Sequence, residues 1–160
     1  MIPDIRPATP EDADALWAIL KPVFRAGDTY TVAPDISRKD ALAYWCAPGN
    51  RVYLAGDGLG TYFLKRNQGG GGSHVCNCGY ATAPAAQGKG VARAMLAHSL
   101  DAARAAGFRA MQFNFVVTSN TRAIALWQQA GFETVGHLPK AFDHPDLGFI
   151  DALVMYKELI

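Results

Sequence analysis

The chain has 160 residues, half of them hydrophobic and 18% charged, with a formal net charge of +1. That length suits one well-buried domain and is too short for two ordinary ones. A near-neutral balance with no Lys/Arg run argues against broad nucleic-acid or membrane-surface binding, and no apolar run approaches the ~18 residues of a membrane span. Cys46, Cys76 and Cys78 are an odd number of cysteines, and the start from Met1 to Pro7 lacks the apolar core of a signal peptide. Reduced thiols in a cytoplasm are the simpler expectation.

Thr9-Pro10-Glu11-Asp12 carries a hydroxyl N-cap, a proline at the first helical position and acids facing the dipole. Leu16, Ile19, Leu20 and Val23 then recur at helical spacing, which predicts a first helix to about Phe24. Arg25 to Asp35 reads as a loop. Ser37 with Asp40 opens a second, short helix through Leu42, Trp45 and Cys46. Trp17 and Trp45, at helical positions, are expected in the core. Arg51 to Ala55 and Thr61 to Lys65 flank Gly56-Asp57-Gly58 as a hairpin, and Gly69 to Gly72 reads as a flexible loop tip. His74 to Ala81 is the next strand. Val91, Met95, Leu96, Leu100 and Ala103 line a helix that ends near Gly107. Met111 to Val117 is a strand, and Asn120 to Ala130 a helix stopped by Gly131. Thr134 to Leu138 and Ile150 to Lys157 close the chain as strands around a loop from Pro139 to Gly148. A mixed sheet covered by helices follows from that order.

The run Gln87-Gly88-Lys89-Gly90-Val91-Ala92 stands at a strand-to-helix junction, where consecutive main-chain N–H groups and the helix dipole can meet an anion. It is not a Walker loop, because Gly90 follows Lys89 and no hydroxyl residue comes next. It is not a Rossmann fingerprint either, since the third glycine is missing and the run comes late, after strands in hairpin order.

Gln87, Gly90 and Ala92 fill the pattern Gln/Arg-x-x-Gly-x-Gly/Ala, with Pro84 three residues ahead, and this resembles the GNAT superfamily of acyl-CoA-dependent N-acyltransferases. A second block, Asn120 to Phe132, is similar to that family's Asn-x-x-Ala…Leu-Tyr-x-x-x-Gly-Phe. The resemblance covers nearly the whole chain and implies one N-acetyltransferase domain over residues 1–160. It implies an α/β (α+β) fold: a mixed, mostly antiparallel twisted sheet of roughly six to seven strands flanked by about four helices. It also implies acetyl-CoA as co-substrate, no metal, and direct attack of a neutral amine on the thioester.

By the same resemblance, main-chain amides of Gln87, Gly88, Lys89, Gly90, Val91 and Ala92 would hold the pyrophosphate. Tyr80, Ala81 and Thr82 would offer main-chain groups to the pantetheine arm, and an amide near Tyr80 would polarise the acetyl carbonyl. Asn120 and Trp127 would also contact the cofactor, although Asn120 suits a helix cap as well. Trp127 replaces the tyrosine that often protonates the leaving thiolate, and an indole N–H is no general acid at neutral pH. Tyr80 or Tyr156 would then serve as the acid, or solvent would.

Gly27 to Tyr30, Phe113 to Val116 and Ile150 to Ala152 further resemble fungal acetyltransferases acting on proline analogues such as azetidine-2-carboxylate. That likeness assigns Asn114 to the acceptor, on a strand expected to be buried, where an amide needs partners. Asp28 is the expected reader of the acceptor's ammonium, with Tyr30 beside it. His144 is of the residue type that suits a general base near neutrality. Asp28, Asp143, His144 and Asp146 can equally be solvated loop charges. His74, Cys76 and Cys78 alternate on one strand face, which converges poorly on a metal, so core thiols are expected.

The function expected is acetylation of a small amine, an amino acid or analogue, with no nucleic-acid or membrane partner. The alternatives are a protein or peptide N-acetyltransferase and a non-catalytic acyl-CoA sensor. Members of the family often form homodimers, to which the apolar stretch Ala152 to Tyr156 could contribute.

Overall fold

The computed structural model describes residues 2–160. Strand β1 (Ile5–Pro7) leads into a 3-10 turn at Pro10–Asp12 and helix α1 (Ala13–Ala26). The expected capping box forms there: Thr9 N–H donates to Asp12 Oδ2 at 2.7 Å. Arg6 grips the same carboxylate with two bonds of 2.8 and 2.9 Å, which holds Asp12 well below the usual carboxylate range. Gly27 ends α1 in the left-handed region (φ 65°). Ser37 Oγ accepts from Asp40 N–H at the start of α2 (Arg38–Trp45).

Strands β2 (Arg51–Ala55), β3 (Gly60–Arg66) and β4 (Val75–Thr82) form an antiparallel meander, with the glycine run between β3 and β4 in a short 3-10 turn. Helix α3 (Val91–Ala105), β5 (Ala110–Val117) and α4 (Thr121–Gln129) follow, then β6 (Glu133–His144) and β7 (Gly148–Glu158). The sheet has seven strands in the order β1-β2-β3-β4-β5-β7-β6, and only β4–β5 is parallel. This is the expected mixed, mostly antiparallel architecture with four helices.

The final hairpin departs from expectation. Residues taken for a loop from Pro139 to Gly148 largely extend β6, because Phe142, Asp143 and His144 pair with Ile150, Phe149 and Gly148. Pro139, Lys140 and Ala141 leave the ladder, bulging opposite Asp151, and Pro145 to Leu147 form the turn. Asp151 pins that bulge. Its Oδ1 accepts from Lys140 N–H at 2.8 Å, where Lys140 adopts φ 50°, and its Oδ2 meets His137 Nε2 at 2.6 Å.

Two cores lie on opposite faces of the sheet. One packs α3 and α4 against Tyr62, Leu64, Cys76, Cys78, Met111, Phe113 and Met155. The other packs α1 and α2 against Leu54, Phe63 and Ala81, around a fully buried Trp45. Trp17 is half-buried, under the Arg25 guanidinium. Among the described residues no helix is long and apolar enough to cross a membrane.

Candidate active site

Strands β4 and β5 pair only at Val75–Ala110 and Cys76–Met111, then diverge. The rest of β4, through Tyr80 and Thr82, therefore has an open side. Main-chain groups alternate sides along a strand. Ala83 N–H donates to Leu59 O on the β3 side, and Ala81 O is turned toward Gly60 of β3. Tyr80 and Thr82 must present their N–H and C=O toward the gap. Ala81, expected to join them, does not: its main chain belongs to the β3 ladder and its side chain to the α1–α2 core.

The gap has two lips with aromatic rings. Tyr80 and Phe113 reach across to Trp127 of α4, at 5.1 and 4.9 Å between ring centroids. The Tyr80 phenol turns inward, 2.7 Å from Ser99 Oγ, and Ser99 itself donates to Leu96 O. With the serine proton committed, the phenol is the donor in that bond. Burial also pushes the Tyr80 phenol well above its ordinary pKa. The side chain expected as a catalytic acid is thus a core group, and only its main chain faces the gap. Tyr156, the other candidate acid, stands opposite Gln112 on β7.

At the open end, Gly88 and Gly90 adopt φ 75° and 80°, a region ordinary residues avoid. Gly90 occupies the N-cap of α3, with no side-chain cap, and a Cβ there would meet nothing within 4 Å. The N–H groups of Val91 and Ala92 stand in the first helical turn, where no intrahelical acceptor exists. Gln87 N–H is committed to Pro84 O at 3.3 Å, so it leaves the expected set of free amides. Lys89 is exposed. Arg122 comes within 3.8 Å of where a Gly88 side chain would start. Sequence reasoning missed that cation, because only the docking of α4 beside α3 brings residue 122 to residue 88. Asn120 sits at the N-cap of α4 but makes no side-chain cap bond, so its carboxamide is uncommitted. Open space, positive-φ glycines, free amides and a nearby cation fit a pyrophosphate.

On the α1–α2 face the site is built from carboxamides. Asn77 Nδ2 donates to Gln112 O at 2.9 Å, one residue beyond the last β4–β5 pair. Gln112 Nε2 donates to Asn114 Oδ1 at 2.9 Å, and Asn114 Nδ2 to Asn67 Oδ1 at 2.7 Å. Asn114 is exposed, not buried as expected. Met111 and Phe113 point into the α3–α4 core, so strand alternation puts Asn114, like Gln112, on the opposite face, beside a bulge where Asn114 and Phe115 share one opposing residue. Phe115 packs near Phe142 at 6.1 Å.

Above this wall, Tyr30 donates from its phenol to Tyr80 O at 2.7 Å. Burial raises the Tyr30 pKa far above its ordinary value, so it remains a donor. Gly79 makes room for it, since a Cβ there would lie 2.4 Å from Phe63 and 3.1 Å from the Tyr30 hydroxyl. Asp28 is half-buried on the same loop. His144 does not suit a general base. Its Nδ1 accepts from Asp146 and Leu147 N–H at 3.1 and 3.2 Å, so in the neutral ring Nε2 carries the proton and can only donate. Cys76 and Cys78 are buried core thiols, and no group of three metal-ligating side chains gathers among the described residues.

A GCN5-related N-acetyltransferase from Kribbella flavida has the same fold at TM-score 0.92 and 35% identity, covering 98% of each chain. A phosphinothricin acetyltransferase from Sinorhizobium meliloti, solved in complex with AcCoA, matches at TM-score 0.85 and 20% identity over 99% of this chain and 89% of that one. Among curated proteins, N-acetyltransferase aca1 of Schizosaccharomyces pombe is 34% identical over 83 residues, 52% of this chain. That match spans 40% of the relative's own length. The sequence profile of the acetyltransferase (GNAT) family matches residues 13–132, and the chain belongs to that family of acyltransferases.

Proposed function

We propose that this protein acetylates the amine of a small molecule, an amino acid or analogue, with acetyl-CoA as donor. The observation that carries the reading is the divergence of β4 and β5 beyond Cys76–Met111, which leaves the Tyr80 N–H and the main chain of Thr82 without a strand partner beside the loop of Gly88 and Gly90. Val91 and Ala92 N–H, with Lys89 and Arg122 in support, would bind the pyrophosphate. Asn120 would add a carboxamide contact. Tyr80 and Thr82 would pair with the pantetheine amides as a missing strand would, and the Tyr80 N–H would stabilise the developing oxyanion, an effect worth about 3 kcal/mol for one donor. When bound, acetyl-CoA supplies the activated acetyl group; the chain positions it and shields it from water.

The acceptor side supports a compact polar substrate. Asn67, Gln112 and Asn114 offer amide groups that can meet a carboxylate without carrying charge, Phe115 and Phe142 add an apolar wall, and Asp28 carries the opposite sign to an ammonium. Tyr30, tied to Tyr80 O, would close the top of the pocket.

The test is loss of thioester absorbance from acetyl-CoA against amino acids, proline analogues, polyamines and short peptides. Turnover concentrated on free amino acids or their cyclic analogues is the expected result. Turnover confined to peptides would overturn the acceptor assignment, and cofactor binding without any turnover would favour a sensor.

A further inference from the structure

Lys65 is a half-buried cation that pairs with no Asp or Glu among the described residues. Other cations of the chain are engaged: Arg6, Arg38 and Arg104 each meet an aspartate, and Arg25 donates to the carbonyls of Pro34 and Ile36. Phe63 belongs to the core under α1 and α2, so strand alternation puts Lys65, and after it Asn67, on that same face of β3. The Lys65 side chain folds back along the strand, and its Nζ stands 5.8 Å from the centroid of the Phe63 ring. Contacts of this kind reach to about 6 Å, so the ring's hold on the ammonium is weak. Beside the lysine the wall is polar and uncharged. Asn77 is its neighbour across the ladder, Asn77 donates to Gln112 O, and Asn67 accepts from Asn114. The same ring borders the gap. Phe63 pairs with Gly79, and its edge lies 2.4 Å from where a Gly79 side chain would start, with the Tyr30 hydroxyl 3.1 Å from that point. Gly79 precedes Tyr80, whose N–H faces the gap.

We propose that the Lys65 ammonium receives the carboxylate of the acceptor, which makes Lys65 the residue that selects amino acids over plain amines and amides. The inference rests on the reading that the gap holds acetyl-CoA and that a small amine attacks from the α1–α2 face. The carboxamides of Gln112 and Asn114 can orient a carboxylate but bring no charge; Lys65 supplies it. Binding exchanges a long contact with a ring face for a charge-assisted hydrogen bond, which is the stronger of the two. The flexible four-carbon stem lets the ammonium leave the ring and follow the ligand. Selection also works by penalty. A primary amide would turn its own N–H donors toward a cation that has only donors, and a plain amine would leave that cation unpaired. A polyamine would bring a second positive charge against it. Because the Phe63 ring abuts Gly79, one residue before Tyr80, the span from Lys65 to the thioester is short, as an amine and a carboxylate on the same or neighbouring carbons require.

The experiment measures kcat/KM on the intact protein, by loss of acetyl-CoA thioester absorbance, for the standard amino acids and cyclic proline analogues, each beside its primary carboxamide. An amino amide is less basic than its parent acid, so more of its amine is neutral and nucleophilic at neutral pH. A preference for the acid therefore reports recognition of the carboxylate and not reactivity. The expected result is a preference for the acid of roughly tenfold or more in the wild-type protein. Lys65→Met, which keeps the apolar stem and drops the charge, should raise the KM for the acid about tenfold and erase the preference. The KM for acetyl-CoA and the carboxamide rates should stay where they were. Lys65→Arg should keep most of the preference. A wild-type protein that turns over amides as well as acids would overturn the proposal, whether or not the variants fold. A Met variant with the acid-to-amide ratio of wild type would do the same while leaving the amino-acid reading intact. Turnover confined to polyamines or peptides would instead remove that reading and the proposal with it, and failure of acetyl-CoA to bind would remove the acetyltransferase reading beneath both.

Discussion

On the α3–α4 face of the splay the side chains are aromatic rings and buried thiols, and the groups left to meet a ligand belong mostly to the main chain, with Asn120 and Arg122 beside them. On the α1–α2 face the accessible groups are side-chain carboxamides, linked from Gln112 through Asn114 to Asn67. The two faces meet at Tyr80, whose ring serves one and whose carbonyl is held by Tyr30 on the other. Main-chain recognition tolerates drift in sequence, because it depends on φ angles and strand register. Side-chain recognition does not. Under the proposed function, the first face would read a constant donor and the second a particular acceptor.

The comparison can be broken most sharply at Gly90. Valine there must adopt φ 80° with a branched Cβ, a strain of about 1–2 kcal/mol. Its side chain would project into space that the protein leaves open. Affinity for acetyl-CoA should fall more than roughly a hundredfold by calorimetry, given loss of several main-chain bonds to a charged group, while far-UV circular dichroism is retained. Retained affinity would mean that the α3–α4 face does not bind through its main chain.

Gly79→Ala tests the seam between the faces. Its new methyl would sit 2.4 Å from the Phe63 ring and 3.1 Å from the Tyr30 hydroxyl. Overpacking of this kind costs about 1–3 kcal/mol, so the midpoint of thermal unfolding should drop by several degrees. The Tyr30–Tyr80 bond should loosen with it.

Asn114→Ala sharpens the comparison from the acceptor side. The acceptor KM should rise about tenfold, the worth of one hydrogen bond to a charged group, with the KM for acetyl-CoA unchanged. Equal losses for both substrates would assign Asn114 to structure.

The smallest effect lies away from both faces, in the last hairpin. The hydrogen bond from His137, with Lys140 N–H, lowers the Asp151 pKa. A depressed carboxylate stabilises the fold at pH values above its unfolded pKa, near 4, and that contribution is lost as pH falls through the folded value. Asp151→Asn should therefore leave the acid limb of the stability profile shallower than in wild type. Urea titrations between about pH 3 and 6 would measure it.

Much of the architecture was legible locally. The capping groups at Thr9 and Ser37, the helical recurrence from Val91 to Ala103, and the glycine stops at 107 and 131 are signals carried within a few residues of the structure they specify. The hairpin was legible only in part. Pro139 and the charges after it read as a loop, whereas cross-strand pairing to β7 draws Phe142 to His144 into a strand and confines the irregularity to a bulge. Periodicity does not report such pairing, because the partner supplies half of the hydrogen bonds.

By itself the sequence determined the order of elements, the glycine junction at Gln87 to Ala92 and the family resemblance. Those depend on local backbone preference and on spacing along one segment. Only the tertiary structure decided what the site is made of. The α1–α2 face left Asn114 exposed, strand alternation gave Tyr80 and Thr82 to the gap and took Ala81 away, and helix packing brought Arg122 to Gly88. The hairpin tip engaged the Nδ1 of His144. Each of these turns on register and contact between segments far apart in the chain, and sequence spacing carries no measure of either.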